Sequence, residues 1–115
     1  MIEDNPINLI VAKELLTMHG CNVETAETAR DGLKKLGQAE FDAVLLDIRL
    51  PDMMGTEVLQ RIRRGEAGNP DVHVVALTAY ALQGDRDLFL RAGMDDYLAK
   101  PVSSDALLRV LQRIQ

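Results

Sequence analysis

The sequence predicts an α/β domain built on a parallel β-sheet, and two observations carry this prediction. First, apolar runs of strand length alternate along the chain with segments in which apolar residues recur at helical spacing. This alternation is typical of βαβ units, whose strands lie parallel. Second, the run Ala43–Asp47 is apolar at every position before its last residue, which indicates a strand buried on both faces. We therefore expect a doubly wound sheet of five parallel strands with five helices.

The first part of the chain is predicted to contain two helices separated by a short strand. Asn5-Pro6 opens the first helix, because proline suits the first helical turn, and the helix should stop near Gly20. Residues 22–27 alternate apolar and polar positions as a strand does, and Thr28 is a good N-cap for the second helix. By the same alternation a strand should precede the first helix, yet only two residues stand before Glu3-Asp4. We expect that first strand to be stunted, or the chain to be cut from a longer protein.

The second part of the chain continues the same alternation after the strand that ends at Asp47. Helices are predicted over residues 55–64 and 83–92, and Ser103 is placed to cap a last helix. Strands are predicted over the β-branched run 72–77 and over 97–99. We expect the strand order 2-1-3-4-5 of flavodoxin-like folds, with residues 1–115 forming one domain.

Composition narrows the classes of protein to which the chain can belong. The net charge is −5 and the sequence pI is about 4.9, whereas a domain that binds nucleic acid by neutralising phosphates should be basic. The apolar stretches are too short to span a bilayer, and no signal peptide is visible. Cys21 is the single cysteine, which favours a reducing compartment. We expect a cytoplasmic domain that contacts neither nucleic acid nor membrane, although its parent protein could be membrane-anchored.

Polar side chains stand where the predicted strands end. Glu3 and Asp4, Asp47, Thr78 and Lys100 occupy these positions. Because the carboxyl ends of parallel strands meet at one edge of the sheet, we expect these side chains to converge. Crowded carboxylates need a cation, and an all-oxygen site suits Mg²⁺, with Mn²⁺ as a second possibility. A carboxylate nucleophile beside a cation, an ammonium group and a hydroxyl group is suited to phosphoryl transfer onto aspartate.

Over essentially its whole length, the chain resembles a receiver domain of the two-component signalling family. Any one of the matching motifs would be weak evidence, but they occur in the family's order and at its approximate spacing. In their exact residues, several of these motifs most resemble receivers attached to hybrid sensor histidine kinases. The matching segments are Glu3-Asp4-Asn5-Pro6, Leu45-Leu46-Asp47, Leu50-Pro51, Gly55, Leu77-Thr78-Ala79, Ala92-Gly93-Met94-Asp95-Asp96-Tyr97 and Lys100-Pro101.

The resemblance assigns a role to each member of the acidic group. Asp47 would be the phosphoacceptor, and Asp4 and Asp47 would ligate Mg²⁺ directly. Glu3 would act on the ion through water, and the backbone carbonyl of Arg49 would be a further ligand. These roles are implied by the family and not by the spacing of the residues.

The resemblance also implies phosphoryl contacts and a conformational switch. Thr78 and Lys100 would contact the phosphoryl group, and the Lys100-Pro101 peptide bond is expected to be cis. Phosphorylation would draw Thr78 toward the phosphoryl group and leave room for Tyr97 to turn inward. A partner that binds one of the two states better would read the change.

The function implied is that of a phosphoacceptor in a phosphorelay. The domain would take the phosphoryl group from a phosphohistidine of a histidine kinase domain and pass it to a histidine phosphotransfer domain. It would assist its own phosphorylation and dephosphorylation as part of a hybrid sensor histidine kinase. Arg49 departs from the common pattern two residues after the acceptor, and we hypothesise that its side chain alters the lifetime of the aspartyl phosphate.

Other functions remain open at this point. The main alternative is an interaction module that keeps the fold without being phosphorylated. An aspartate-nucleophile phosphatase would carry a second Asp two residues after the first, where this chain has Arg49. Nucleotide-binding modules are disfavoured because the chain contains no G-x-G-x-x-G sequence and no P-loop lysine motif.

Overall fold

The computed structural model describes residues 1–79 and 86–114. None of the described helices is both long enough and apolar enough to cross a bilayer. Within these ranges the helices are α1 (Pro6–Met18), α2 (Ala29–Leu36), α3 (Gly55–Arg63), α4 (Arg86–Ala92) and α5 (Ser104–Ile114), and the strands are β1 (Ala43–Asp47), β2 (His73–Thr78) and β3 (Asp96–Ala99).

The three strands form a parallel sheet in the order β1-β2-β3. Two single bridges extend this sheet on the β1 side, because Ile2 pairs in parallel with Leu46 and also with Ala26. The order Ala26, Ile2, β1, β2, β3 is the predicted 2-1-3-4-5 order, which confirms the doubly wound fold class.

The first two predicted strands, which lie side by side next to β1, are single bridges and not strands. The stunted first strand is confirmed, but the predicted strand over 22–27 is wrong in extent, since only Ala26 pairs within it. Only Met1 and Ile2 precede Glu3 in this chain, and Ile2 is the one residue among them that pairs with Ala26 on one side and with Leu46 of β1 on the other. Four backbone hydrogen bonds nevertheless hold this segment, and the shortest joins Ile2 N–H to the Leu45 carbonyl at 2.7 Å.

Local signals place the first helices as expected. The Asn5 side chain accepts hydrogen bonds from the backbone N–H groups of Ile7 and Asn8, at 2.9 and 3.3 Å, and so caps α1. Gly20 follows α1 with a φ of 82°, the left-handed conformation that glycine adopts easily. The Thr28 hydroxyl accepts from the Asp31 N–H at 3.1 Å and caps α2.

The later elements differ from the predictions by one residue at most where they are described. α3 ends at Arg63 instead of residue 64, and β2 and β3 are each shifted or extended by one position. α4 ends at Ala92 as predicted. Its predicted start at residue 83 lies outside the described residues.

The hydrophobic core has two layers, one on each face of the sheet. Successive residues of β1 belong to opposite layers: Val44 and Leu46 are in the first layer and Leu45 is in the second. The first layer packs under α2, α3 and α4, and includes the fully buried Leu59. The second packs under α1 and α5, and includes the fully buried Leu107. Burial on both faces explains the uninterrupted apolar runs of β1 and β2.

Candidate phosphoacceptor site at the carboxyl edge of the sheet

Three carboxylates meet at the carboxyl edge of the sheet. Glu3, Asp4 and Asp47 each offer an oxygen, and the three oxygens lie within 4.8 Å of one another. Glu3 has no exposed surface and Asp47 is 4% exposed, whereas Asp4 is exposed. The Ile2 bridges place Glu3 and Asp4 here, because they fix the N-terminal segment beside the end of β1.

Lys100 joins the acidic group from the far side of the sheet. Its Nζ lies 2.9 Å from Asp47 Oδ1 and 3.2 Å from Glu3 Oε1. The residue directly follows β3, and its backbone N–H donates to the Thr78 carbonyl at 2.8 Å. The Lys100-Pro101 peptide bond is cis, as expected.

The buried pair Glu3 and Asp47 carries more negative charge than Lys100 balances. Burial raises the pKa of Glu3 to about 7, and its hydrogen bond with Asp47 adds to this effect. Burial would also raise the pKa of Asp47. Hydrogen bonds from Glu3, from Lys100 and from the Arg49 N–H outweigh it, so the pKa of Asp47 is lower than usual. Near neutral pH, Glu3 therefore retains a proton in part of the population while Asp47 stays ionised.

Thr78 and Tyr97 lie on neighbouring strands of the same edge region. Thr78 is the last residue of β2, buried at 5% exposure, and follows Leu77, the register partner of Asp47. Tyr97 pairs with Ala76 in the β2–β3 register and is half-buried against the core layer under α2, α3 and α4. Thr78 thus lies one residue beyond the register partner of Asp47, and Tyr97 lies on the adjacent strand.

The segment after β1 turns tightly back on itself. Its Arg49 N–H donates to Asp47 Oδ1 at 3.2 Å, and Arg49 pairs with Met54 in an antiparallel bridge. A Cβ at Gly55 would lie 2.6 Å from the Asp47 carbonyl oxygen and 2.8 Å from the Ile48 Cα, so only glycine fits there. The predicted effect of the Arg49 side chain on the lifetime of the aspartyl phosphate stays a prediction.

Two residues near the site were not singled out from the sequence. The Asn8 side-chain amide donates to Glu3 Oε1 at 2.6 Å, and its position in the first turn of α1 could have suggested this contact. The Asp52 carboxylate accepts from the backbone N–H groups of Ala29 and Arg30, at 2.9 and 3.0 Å. No sequence signal pointed to the second contact, since its partners lie more than twenty residues away.

The arrangement combines a nucleophile with groups that can neutralise charge. The ionised Asp47 carboxylate is an oxygen nucleophile, and the adjacent Lys100 ammonium can stabilise negative charge on a bound group. The three carboxylate oxygens form the hard donor set that Mg²⁺ accepts. Burial, with a smaller contribution from Asp47, raises the pKa of Glu3, and a divalent cation bound beside it would favour its ionised form.

Comparisons with known proteins show the family of the chain. The sequence matches the response regulator receiver domain family over residues 1–112. It is 38% identical over 113 residues to the aerobic respiration control sensor protein ArcB of Escherichia coli, covering 98% of this chain and 14% of that protein. The chain thus spans a small part of the curated relatives that it matches.

Solved structures give the same assignment. The magnesium-bound receiver domain of sensor histidine kinase PA1611 from Pseudomonas aeruginosa matches with a TM-score of 0.86 and 42% identity, covering 97% of this chain and 91% of that one. The Saccharomyces cerevisiae receiver domain of Ssk1, co-crystallised with the histidine phosphotransfer protein Ypd1, matches with a TM-score of 0.81 and 28% identity, covering 98% and 82%. From the site, the fold and these matches together, the chain belongs to the response regulator receiver domain family.

Proposed function

We propose that Asp47 accepts a phosphoryl group from a phosphohistidine in a Mg²⁺-dependent reaction. One observation carries the proposal: the buried, ionised Asp47 carboxylate lies 2.9 Å from the Lys100 ammonium and beside two further carboxylates. A structural carboxylate of this kind would be satisfied by one cation. Glu3 and Asp4 add more carboxylates than the single Lys100 ammonium can balance, which fits a site built for a divalent ion.

Glu3, Asp4 and Asp47 would hold the ion, with the backbone carbonyl of Arg49 as a further ligand. The oxygen-only donor set and the raised pKa of Glu3 support this assignment. The receiver domain of PA1611, which carries magnesium in its active-site cleft, supports the choice of metal. When bound, Mg²⁺ would supply positive charge next to the oxygens of the transferring phosphoryl group.

The transfer exchanges one bond to phosphorus for another. An oxygen of Asp47 attacks the phosphorus, the P–O bond forms, and the P–N bond to the donor histidine breaks. The leaving imidazole nitrogen keeps the electron pair and is protonated from solvent. Lys100, which pairs with Asp47 before the reaction, would turn its ammonium group to a phosphoryl oxygen, and the Thr78 hydroxyl would donate to another.

An exposed apolar surface on α1 is placed for docking of the phosphoryl donor and acceptor proteins. Ile7, Ile10 and Val11 are 69%, 59% and 45% exposed. Asn8, in the same turn of the helix, contacts Glu3 in the acidic group. An exposed apolar patch beside a reactive site favours protein partners. We propose a histidine kinase domain and a histidine phosphotransfer domain as these partners, and the complex of the Ssk1 receiver with Ypd1 supports the second.

Phosphorylation would be read out through Thr78 and Tyr97. Movement of the Thr78 hydroxyl toward the phosphoryl group would leave space into which the half-buried Tyr97 ring could turn. The new hydrogen bonds would bias an equilibrium between two existing states. We propose that the domain is part of a longer sensor kinase, because the chain spans only 12% and 14% of two sensor proteins that it matches. The single cysteine favours the cytoplasm as its compartment.

The test is phosphorylation of the isolated domain by acetyl phosphate. The wild type should gain the mass of one phosphoryl group only when Mg²⁺ is present, as read by intact-mass spectrometry. Asp47→Asn should gain none while remaining folded by circular dichroism. A folded wild-type domain that gains no mass would contradict the proposal and favour an unphosphorylated interaction module with the same fold.

A further inference from the structure

The segment that follows the phosphoacceptor, residues 48–54, is here called the acceptor loop. It supplies two groups to the site: the Arg49 N–H that donates to Asp47 Oδ1 at 3.2 Å, and the Arg49 carbonyl proposed as a metal ligand. Its base is closed by the Arg49–Met54 bridge and by the hydrogen bond from Gly55 N–H to the Ile48 carbonyl at 2.7 Å. The position of the two Arg49 groups therefore depends on how the whole loop is held.

The tip of the acceptor loop is attached to a helix elsewhere in the fold. Asp52 Oδ1 accepts from Ala29 N–H at 2.9 Å, and Asp52 Oδ2 accepts from Arg30 N–H at 3.0 Å. These N–H groups belong to the first turn of α2, where they have no partner within the helix. Ala29 is fully buried, so this end of α2 is fixed in the core and offers a rigid anchor.

We propose that Asp52 is a positioning residue, which holds the acceptor loop against α2 and so sets the Arg49 carbonyl and N–H at the metal and phosphoacceptor site. This inference rests on the proposed function. A carboxylate that accepts two N–H bonds at a helix N-terminus makes a charge-assisted contact, stronger than a neutral one. Support of this kind outside the ligand shell commonly decides metal affinity.

The electrostatics of Asp52 agree with an ionised group in this role. Asp52 is exposed, and the partial desolvation that would raise its pKa is outweighed by the hydrogen bonds from Ala29 and Arg30, so the pKa of Asp52 is lower than usual. The carboxylate is therefore ionised at neutral pH. An amide at this position could accept one of the two bonds, but its NH₂ group would face the other N–H donor.

The chain offers a matched control on the same helix end. Thr28 also caps α2, through the bond from Asp31 N–H to its hydroxyl at 3.1 Å, but it belongs to the segment before α2 and not to the acceptor loop. Thr28→Ala therefore removes a cap from α2 without removing the attachment of the loop. A purely structural role of Asp52 in capping α2 should be reproduced by this variant.

The experiment compares Asp52→Ala, Asp52→Asn and Thr28→Ala with the wild type. The Mg²⁺ dissociation constant is measured by titration, and hydrogen exchange of the Arg49 amide is measured by NMR in the metal-free protein. Asp52→Ala should raise the dissociation constant about tenfold and speed the exchange, because outer-shell support is lost. Asp52→Asn should show a smaller change in the same direction, and Thr28→Ala should leave both quantities close to the wild-type values.

Two results would overturn the inference: unchanged Mg²⁺ affinity and Arg49 exchange in both Asp52 variants, or equal changes in Thr28→Ala. Failure of the proposed function is a separate outcome, in which the wild type itself binds no Mg²⁺ and takes no phosphoryl group. In that case the Arg49 amide still reports on the loop. Faster exchange in Asp52→Ala alone would support its positioning role, and unchanged exchange would reject it.

Discussion

Lys100 Nζ lies 2.9 Å from Asp47 Oδ1, so the ammonium group at the end of β3 neutralises the proposed phosphoacceptor at the end of β1. The same nitrogen lies 3.2 Å from Glu3 Oε1, which makes Lys100 the cation shared by the two buried carboxyl groups. The pairing balances charge in the site before reaction, and in the proposed reaction the same ammonium group would contact the phosphoryl group.

Replacing Lys100 should slow phosphorylation strongly. Lys100→Met removes the ammonium group that would stabilise charge on the phosphoryl oxygens, and loss of one such donor costs roughly 10²-fold to 10³-fold in rate. The measurement is the rate of mass gain with acetyl phosphate and saturating Mg²⁺. Lys13→Ala, on the exposed face of α1, is the control and should keep the wild-type rate. Equal rates for Lys100→Met and the wild type would rule out the proposed contact.

Glu3 should make the metal-free protein less stable as the pH rises toward neutrality. Its pKa is about 7 in the fold against 4.5 as the ordinary value, so the folded state binds the proton more tightly than the unfolded chain does. The associated stability is fully present below about pH 4.5 and is lost as the pH passes through about 7. The loss should be on the order of 3 kcal/mol.

Denaturant unfolding without metal, at several pH values, measures this effect. Glu3→Gln cannot titrate, so its free energy of unfolding should fall less than that of the wild type between about pH 4.5 and pH 7.5. Adding Mg²⁺ should restore wild-type stability at the higher pH, because a ligand of the native state stabilises it. Parallel pH profiles for the two proteins would show that Glu3 titrates normally.

Gly55 should not tolerate a side chain. In Gly55→Ala the Cβ would lie 2.6 Å from the Asp47 carbonyl oxygen and 2.8 Å from the Ile48 Cα. Both are backbone atoms, which cannot rotate away as a side chain can. The expected loss of stability is about 1–3 kcal/mol, the usual cost of overpacking. Gly37→Ala is the matched control, since its Cβ would lie 3.5 Å from the Lys34 carbonyl oxygen in an ordinary contact. Similar unfolding midpoints for the two variants would argue against the tight approach at Gly55.

Arg49 should affect the lifetime of the phosphorylated state. If its side chain limits the access of water to the aspartyl phosphate, Arg49→Ala should dephosphorylate several-fold faster. Decay of the phosphorylated mass after removal of acetyl phosphate gives the rate. Arg64→Ala, whose ion pair with Glu66 lies at the end of α3, should decay as the wild type does. An unchanged rate in Arg49→Ala would end the hypothesis.

A charge on the apolar face of α1 should slow phosphorylation by a protein donor but not phosphorylation by a small molecule. Ile10→Glu would hinder docking of a phosphohistidine partner but should leave the rate with acetyl phosphate unchanged, since Ile10 is 59% exposed and lies outside the acidic group. Met18→Glu, at the far end of the helix about 12 Å away, is the control. If transfer from a phosphorylated histidine phosphotransfer domain is equally fast in both variants, α1 is not the docking surface.

Local patterns in the sequence were sufficient for most of the architecture. Caps at Asn5 and Thr28 are contacts within one turn of a helix, and the apolar runs of β1 and β2 reflect burial on both faces, so each can be recognised in a short window. Prediction of the 22–27 strand failed because a strand needs a partner of similar length, and Ile2 provides only one pairing position.

The sequence by itself determined the α/β fold class, the order of the elements and the residues at the carboxyl ends of the strands, because these follow from periodicity and chain order. Only the tertiary structure decided that Lys100 pairs with Glu3, 97 residues away, and that Asp52 is bonded to the start of α2. The burial that raises the pKa of Glu3 likewise depends on the assembled core. Parallel topology brings the strand ends to one edge, but which atoms pair there depends on how whole elements pack, and no local pattern encodes that packing.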